Sequence, residues 1–403
     1  MTLLNTYRSL LFAIYAPSLL ISVGSQGLVV LLPLYILDLT GSPAAAATVV
    51  GARGIGTWLS NLPLGVLVAR YGDKQVMQLA CVVLTLCTVA FALTASVTVF
   101  AAIAVVYGMA ASGWLLGRIS YITDACDDAV RGRVISVLAG IMRAGMLLGP
   151  LAGGLVAEFL GYRYVFIGAG VLTLLGAALV WRHAEDVRPE RDQSTTFVHR
   201  IGALFRQHRR SLLTAGSCAL VLMFLRAARP VLIPVFGDAA GLGAAAIGVI
   251  YSLSASIDMA LFYPAGQIMD ARGRKFTLIP ALTLFVLAYA LLPLADGFYS
   301  LLVVAMLIGT ANGLSTGAVM TMGSDLAPKS SRGEFLGMWR MFSDSGTALG
   351  PLFVAAVVNA ATLGAAALAV GGVGAVGLVV TLLFVEETLK TLPRDRNPAP
   401  PDS

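Results

Sequence analysis

Shifted by 201 positions, the chain lands on itself. Pro33, Pro63, Gly65, Gly72, Lys74, Gly108, Asp124, Arg131, Gly132, Gly145, Gly149 and Pro150 fall on Pro234, Pro264, Gly266, Gly273, Lys275, Gly309, Asp325, Arg332, Gly333, Gly346, Gly350 and Pro351 without a gap. The repeated unit, about 200 residues long and almost wholly apolar, is far too long for a solenoid repeat and has the size of half a duplicated membrane bundle. The duplication therefore points to a transporter before any motif is read.

Composition leaves little alternative. Of the 403 residues 58% are hydrophobic and 12% charged, with a mean hydropathy of +0.86, whereas a soluble domain carries about 25% charged residues. Apolar runs long enough to cross a hydrocarbon core occur at 11–37, 45–68, 76–95, 98–123, 134–157, 164–181, 211–236, 245–268, 277–294, 298–323, 335–360 and 364–385, six in each half. The first is longer than a signal-peptide core and lacks a small-x-small cleavage site, so it is read as helix 1. The fold expected is an all-α membrane protein of two pseudo-symmetric six-helix bundles, 1–182 and 211–388, joined by a cytoplasmic linker at 183–210 and followed by a tail at 389–403.

Basic residues set the expected orientation. About 20 of the 27 Lys and Arg lie in the N-terminus, alternate loops and tail, which puts both ends in the cytoplasm of a plasma (inner) membrane protein. The net charge of +6 follows from this asymmetry and calls for no nucleic-acid partner. All three histidines fall in or beside the linker, and the four cysteines have no metal or disulfide spacing. Without a Walker loop, nucleophile elbow or metalloprotease helix the chain reads as neither an ATP-driven pump nor an enzyme, with no cofactor and no metal. The expected partners are lipid, a small-molecule substrate and protons, with the chain acting as a monomer.

Two motifs carry a resemblance. Between helices 8 and 9 the chain reads Gly266-Gln-Ile-Met-Asp270-Ala-Arg272-Gly273-Arg274-Lys275, and the loop between helices 2 and 3 repeats the frame from Gly65 through Gly72 to Lys74. An acid followed by a tight glycine turn and two bases suits a short loop that latches onto a neighbouring helix end. This resembles the signature loop of the major facilitator superfamily. Helix 5 adds Gly145-Met-Leu-Leu-Gly149-Pro150-Leu-Ala-Gly153-Gly154, similar to the glycine-proline motif of that superfamily's proton-coupled drug exporters; small residues at this spacing permit close helix packing. The chain departs from the pattern in three places. Ala69 replaces the acid of the first loop, Ala104 replaces the basic residue expected four positions before Gly108, and helix 11 lacks the terminal glycine pair. The resemblance implies that Asp270 docks at the start of helix 5 beside Arg131 or Arg133.

Eight ionisable residues lie at membrane depth, where each costs at least about 2.5 kcal/mol unless paired, snorkelled or hydrated. They are Arg53, Arg118, Arg143, Arg226, Arg229, Asp258, Arg340 and Asp344. The resemblance places all of them on helices that border the central cavity. Arg118 reads either as a cavity cation or as a side chain reaching the inner face, and Arg229 has the same choice at the outer end. Arg143 and Asp344 occupy equivalent repeat positions with opposite sign. Arg340 and Asp344 are spaced i, i+4 for local pairing, and the resemblance, which implies that helix 5 packs near helix 8 and helix 2 near helix 11, makes Arg143–Asp258 and Arg53–Asp344 the expected pairs between halves. Arg53, Arg226 and Arg229 together suggest an outer vestibule attractive to anions. Gln26 and Asn312 are further cavity candidates. Asp344, then Asp258, are the deep carboxylates available to carry a coupling proton.

The function expected is gradient-driven alternating access, with proton-coupled export of a small organic or amphipathic compound in first place. Uptake or exchange of an anionic metabolite is the alternative transport reading, and a non-transporting sensor or lipid-handling protein the alternative of another class.

Overall fold

The computed structural model describes residues 10–126, 128–185, 205–328 and 332–389. Residues 186–204 of the expected linker and 390–403 of the tail lie outside that description. The described residues form twelve long helices and no strand. They are α1 (Leu11–Thr40), α2 (Pro43–Tyr71), α3 (Asp73–Leu93), α4 (Val97–Ala125), α5 (Asp128–Leu160), α6 (Tyr162–His183), α7 (Phe205–Ala239), α8 (Ala244–Arg272), α9 (Lys275–Leu294), α10 (Phe298–Leu326), α11 (Arg332–Ala360) and α12 (Leu363–Leu383). Eleven are long and apolar enough to cross a membrane; α2, which carries Arg53 and Arg70, falls short by composition although its 29 residues are ample.

Local chemistry sets the boundaries. Ser42 accepts the N–H of Ala45 and Pro43 opens α2, a capped start with proline where its missing N–H costs nothing. The α2–α3 and α8–α9 turns pass through Gly72 (φ 87) and Gly273 (φ 104), left-handed conformations that a side chain resists. The duplication reaches finer detail. Leu11–Tyr15 and Leu212–Gly216, equivalent segments of the repeat, are both π-helical, the first at the start of α1 and the second inside α7 after residues 205–211. Helix α10 is broken at Thr316–Gly317 into Phe298–Ser315 and Ala318–Leu326.

In the first half α1 packs on α5 and α6, and α2 on α4; in the second, α7 packs on α11 and α12, and α8 on α10. The halves meet through α2 on α11 and α5 on α8, with a smaller contact between α1 and α7. The face that carries the α2–α3 and α8–α9 turns is called the basic face below.

Candidate functional site

The contact between halves is lopsided along its length. Towards the face opposite the basic one, α5 and α8 touch backbone to backbone: a methyl on Gly154 would sit 2.7 Å from the Ala244 carbonyl oxygen, and one on Gly248 would run into that of Pro150. At the helix ends Glu158 accepts the N–H of Ala245 at 3.3 Å, an acid set at the start of α8 where exposed N–H groups favour negative charge. Helices α2 and α11 close in the same way, with Gly54 against the Thr347 carbonyl. Towards the basic face the helices part. Gly65, Gly132, Gly140, Gly266 and Gly333 all face open space. The bundle is shut at one face and open at the basic one.

The glycine-proline segment of α5 has two partners. Gly145, Gly149 and Gly153 receive α1 at Ser22, Gly27 and Leu31, while Pro150 and Gly154 receive α8. Gln26 also lies at this seam, its Cβ against Gly149.

Two contacts stitch the halves where the closed part gives way to the open part. The Arg143 guanidinium lies 3.6 Å from the centre of the Phe262 ring, and Asn61 donates to Asp344 at 3.0 Å. Asp344 also accepts from Arg340 at 3.3 Å, and Trp58 Nε1 donates to the Met341 carbonyl at 3.1 Å across the same helix pair. The expected Arg143–Asp258 and Arg53–Asp344 ion pairs do not form. Phe262 stands between the first pair's helices, one turn beyond Asp258, and Asn61 takes the place expected for Arg53. Arg53 instead lies over the Tyr107 ring, 5.6 Å from its centre.

Asp258 is the middle residue of α8 and only 5% exposed. One carboxylate oxygen accepts from Asn312; the other is buried with no hydrogen-bond partner. Arg143 from the first half and Arg226 from the second lie within electrostatic range. Arg226 donates to Ser315 at 2.8 Å, so α7, α8, α10 and α5 converge here on one polar cluster.

Neither arginine offered a snorkelling alternative snorkels. Arg118 is 3% exposed, with Nη2 3.0 Å from Met142 Sδ and its guanidinium beside the Trp114 ring. Arg229, also 3% exposed, donates to Ser254 at 3.0 Å and lies 4.4 Å from the centre of the Tyr251 ring. Among the described residues Arg53, Arg118, Arg143, Arg226 and Arg229 form no ion pair. The outer vestibule expected from Arg53, Arg226 and Arg229 is not an open one, because that face is shut.

The loop latch is likewise disengaged. Asp270, 72% exposed, pairs at 3.4 Å with Arg274, four residues on and just past the Gly273 turn, instead of reaching α5. Arg131 donates to the Cys126 carbonyl, and Arg133 is exposed. Arg274 is held further by Asp325 at 2.9 Å, and Glu387, beyond α12, accepts the N–H groups of Arg274 and Lys275 at 2.8 and 3.0 Å. Burial opposes ionisation of Glu387, but N–H groups of Leu389, Arg274, Lys275 and Thr388 outweigh it and hold the carboxyl below its ordinary range. The parting of α5 from α8 at this face leaves Asp270 no helix start within reach.

A duplicated twelve-helix bundle, shut at one face, open at the other and charged at mid-depth, is the architecture of a secondary transporter. The chain belongs to the Major Facilitator Superfamily, whose family model matches residues 17–295 and 215–402. It is therefore an integral membrane transporter and not an enzyme, and the sensor alternative falls away. It is similar to Quinolone resistance protein NorA of Staphylococcus aureus (strain MRSA252), 23% identical over 96% of this chain and 99% of that one. It is also similar to Multidrug resistance protein MdtG of Salmonella arizonae, 27% identical over 61% of this chain and 57% of that one. Among solved structures the fold matches the D-xylose-proton symporter with a TM-score of 0.73 at 17% identity, covering 95% of this chain and 99% of that chain.

Proposed function

We propose that the protein exports a small organic compound bearing an acidic group in exchange for protons, with Asp258 carrying the proton. The basic face is cytoplasmic on the positive-inside rule, so the described state is inward-open. The placement of Asp258 carries the reading: a buried carboxylate at the centre of α8, flanked by one arginine of its own half and one of the other. In this state Asn312 donates to one oxygen of the carboxylate, both arginines lie within electrostatic range, and the proton is released to the cytoplasm. When the halves rock, α5 moves relative to α8 and takes Arg143 with it; a buried carboxylate deprived of its cation takes up a proton. Protons then enter as substrate leaves. Asp344 suits this role less well than its depth suggests, because its arginine lies on its own helix and travels with it.

The resistance proteins among its relatives favour export. The arginines without carboxylate partners favour an acidic group on the substrate, since a buried cation is stabilised by an anion that meets it. The same observation supports the second reading, proton-coupled uptake of an anionic metabolite, and direction separates the two. In proteoliposomes with an imposed pH gradient, tested against a panel of fluorescent organic carboxylates and lipophilic cations, the wild type moves carboxylates uphill against the proton flux. Asp258→Asn binds them and lets them equilibrate but drives no accumulation. Full uphill transport by Asp258→Asn rejects the mechanism.

A further inference from the structure

A groove of about 640 Å³ opens on the first half between α2, α3 and α4, away from the seam between the halves. Its walls are apolar, from Leu64 and Leu67 on α2 through Leu79 and Val83 on α3 to Val106 and Met109 on α4. The polar groups in the lining, Tyr71 and Gln75, sit together at the end nearest the basic face. Arg70 stacks on Tyr71, its guanidinium 5.4 Å from the ring centre, and sets a cation at that mouth. Asp73, the nearby acid, is 1% exposed and turned into the protein.

The repeat shows that the lining differs between the halves. Gly113 and Gln75, on its wall and at its mouth, correspond to Leu314 and Phe276 in the second half, a bulky side chain for a missing one and an aromatic ring for an amide. From Gln75 to Val83 the groove runs about 12 Å at 1.5 Å per residue, most of the ~15 Å depth of one leaflet. An apolar slot one leaflet deep, with a cation and an amide at the headgroup level, has the shape and charge of one class of occupant.

We propose that this groove holds an anionic phospholipid of the cytoplasmic leaflet, one acyl chain along Leu79 and Val106 and the phosphate at Arg70 and Gln75. The leaflet assignment rests on the orientation proposed above. The groove and its charge do not depend on substrate, direction or proton coupling.

The test is native mass spectrometry of the detergent-purified full chain titrated with dioleoyl phosphatidylglycerol, dioleoyl phosphatidylcholine or glycerol phosphate. One tightly held phosphatidylglycerol is expected, preferred over phosphatidylcholine about fivefold, the factor for about 1 kcal/mol from one basic residue at an anionic surface. Arg70→Gln should abolish the preference. Gly113→Leu should fill the slot and abolish retention of the lipid, while Gly113→Ala, whose methyl would meet Leu64 and Ala80 at 3.4 and 3.5 Å, leaves it open and controls for folding. Equal retention of both lipids overturns the proposal. So does a preference that survives either Arg70→Gln or Gly113→Leu, which puts the lipid elsewhere, and so does glycerol phosphate competing as well as the whole lipid, which leaves the groove without a part.

Discussion

Replacing Gly154 with alanine should open the face that the structure shows shut. The alanine methyl would lie 2.7 Å from the Ala244 carbonyl oxygen and 3.3 Å from the Cα atoms of Ala245 and Gly248, all on the other half. Carbon–oxygen contacts between helices settle at about 3.3–3.6 Å, so α5 and α8 must separate by about half an ångström at least. Overpacking of this kind costs about 1–3 kcal/mol. The whole of that cost falls on the state in which these helices touch, because the contact is absent once the face opens, and a perturbation shifts an equilibrium only by such a difference. The ratio of closed to open should fall about five- to 150-fold. Alanine also stabilises a helix by about 1 kcal/mol over glycine, but does so in both states, so this term cancels and keeps the variant folded. Pulsed electron resonance reads the shift from two pairs of spin labels at exposed sites: Ser136 with Gln267 at the basic face, and Leu160 with Ala239 at the other. The first distance should shorten and the second lengthen. Unchanged distributions, in a variant whose melting temperature is not lowered, would show that close packing of α5 on α8 does not set the resting state.

The strap beyond α12 should give an acid-sensitive contribution to stability. The carboxyl of Glu387 is held below its ordinary value of 4.5, so its contribution is complete above that pH and is lost as pH falls through the lower folded value; melting temperature should drop more steeply below about pH 4.5 in the wild type than in Glu387→Gln, and parallel curves reject the contact. At the central cluster, Asn312→Ala and Asp258→Asn should be coupled in a double-mutant cycle by about 0.6–1.7 kcal/mol, the range for polar contacts between membrane helices, and additivity in denaturant unfolding would mean that Asn312 does not hold Asp258.

Most of the fold was legible because hydropathy and the repeat report the same helices independently. The spans expected from apolar runs, 45–68 for α2 among them, agree with the twelve helices to within about six residues at either end, and the repeat supports α2 independently although it falls short of a spanning composition. The site was legible in depth but not in rotation. Counting residues from a helix end fixes the height of Arg143, Asp258 and Asp344, yet the direction each side chain takes about the helix axis depends on how the halves are seated. That is why Arg143 met an aromatic ring in place of a carboxylate. Asn61, Ser254 and Ser315 were missed because a search for ionisable groups passes over the neutral partners that buried arginines and aspartates use. The repeat register held a usable signal for Asn61, since it is the counterpart of Phe262 just as Arg143 is the counterpart of Asp344. The Asp270 latch did not appear because Asp270 pairs with Arg274, just past the Gly273 turn, while Arg131 donates to the Cys126 carbonyl.

That register carries one more consequence. Two of the contacts that stitch the halves, Arg143 on Phe262 and Asn61 on Asp344, are the same pair of positions used twice, once on each side of the bundle. Beyond them, towards the shut face, lie the backbone contacts of Gly154 and Gly54; before them, towards the basic face, Gly140 and Gly266 face open space. On the mechanism proposed above, contacts at such a boundary are the fulcrum of the rocking motion, where displacement is smallest. Motion there need not be large to matter. At an effective dielectric constant of about 20, moving a guanidinium from ~5 to ~8 Å from a carboxylate loses about 1 kcal/mol, close to a tenfold change in proton affinity. Only one of the two fulcra has a carboxylate one turn away that does not already own an arginine on its own helix. The counterpart of Asp258 is Thr57, which donates to the Arg53 carbonyl at 3.2 Å, and the counterpart of Asn312 is Ala111. The duplication thus supplies two matching contacts between the halves, and divergence after it places a buried carboxylate beside one of them.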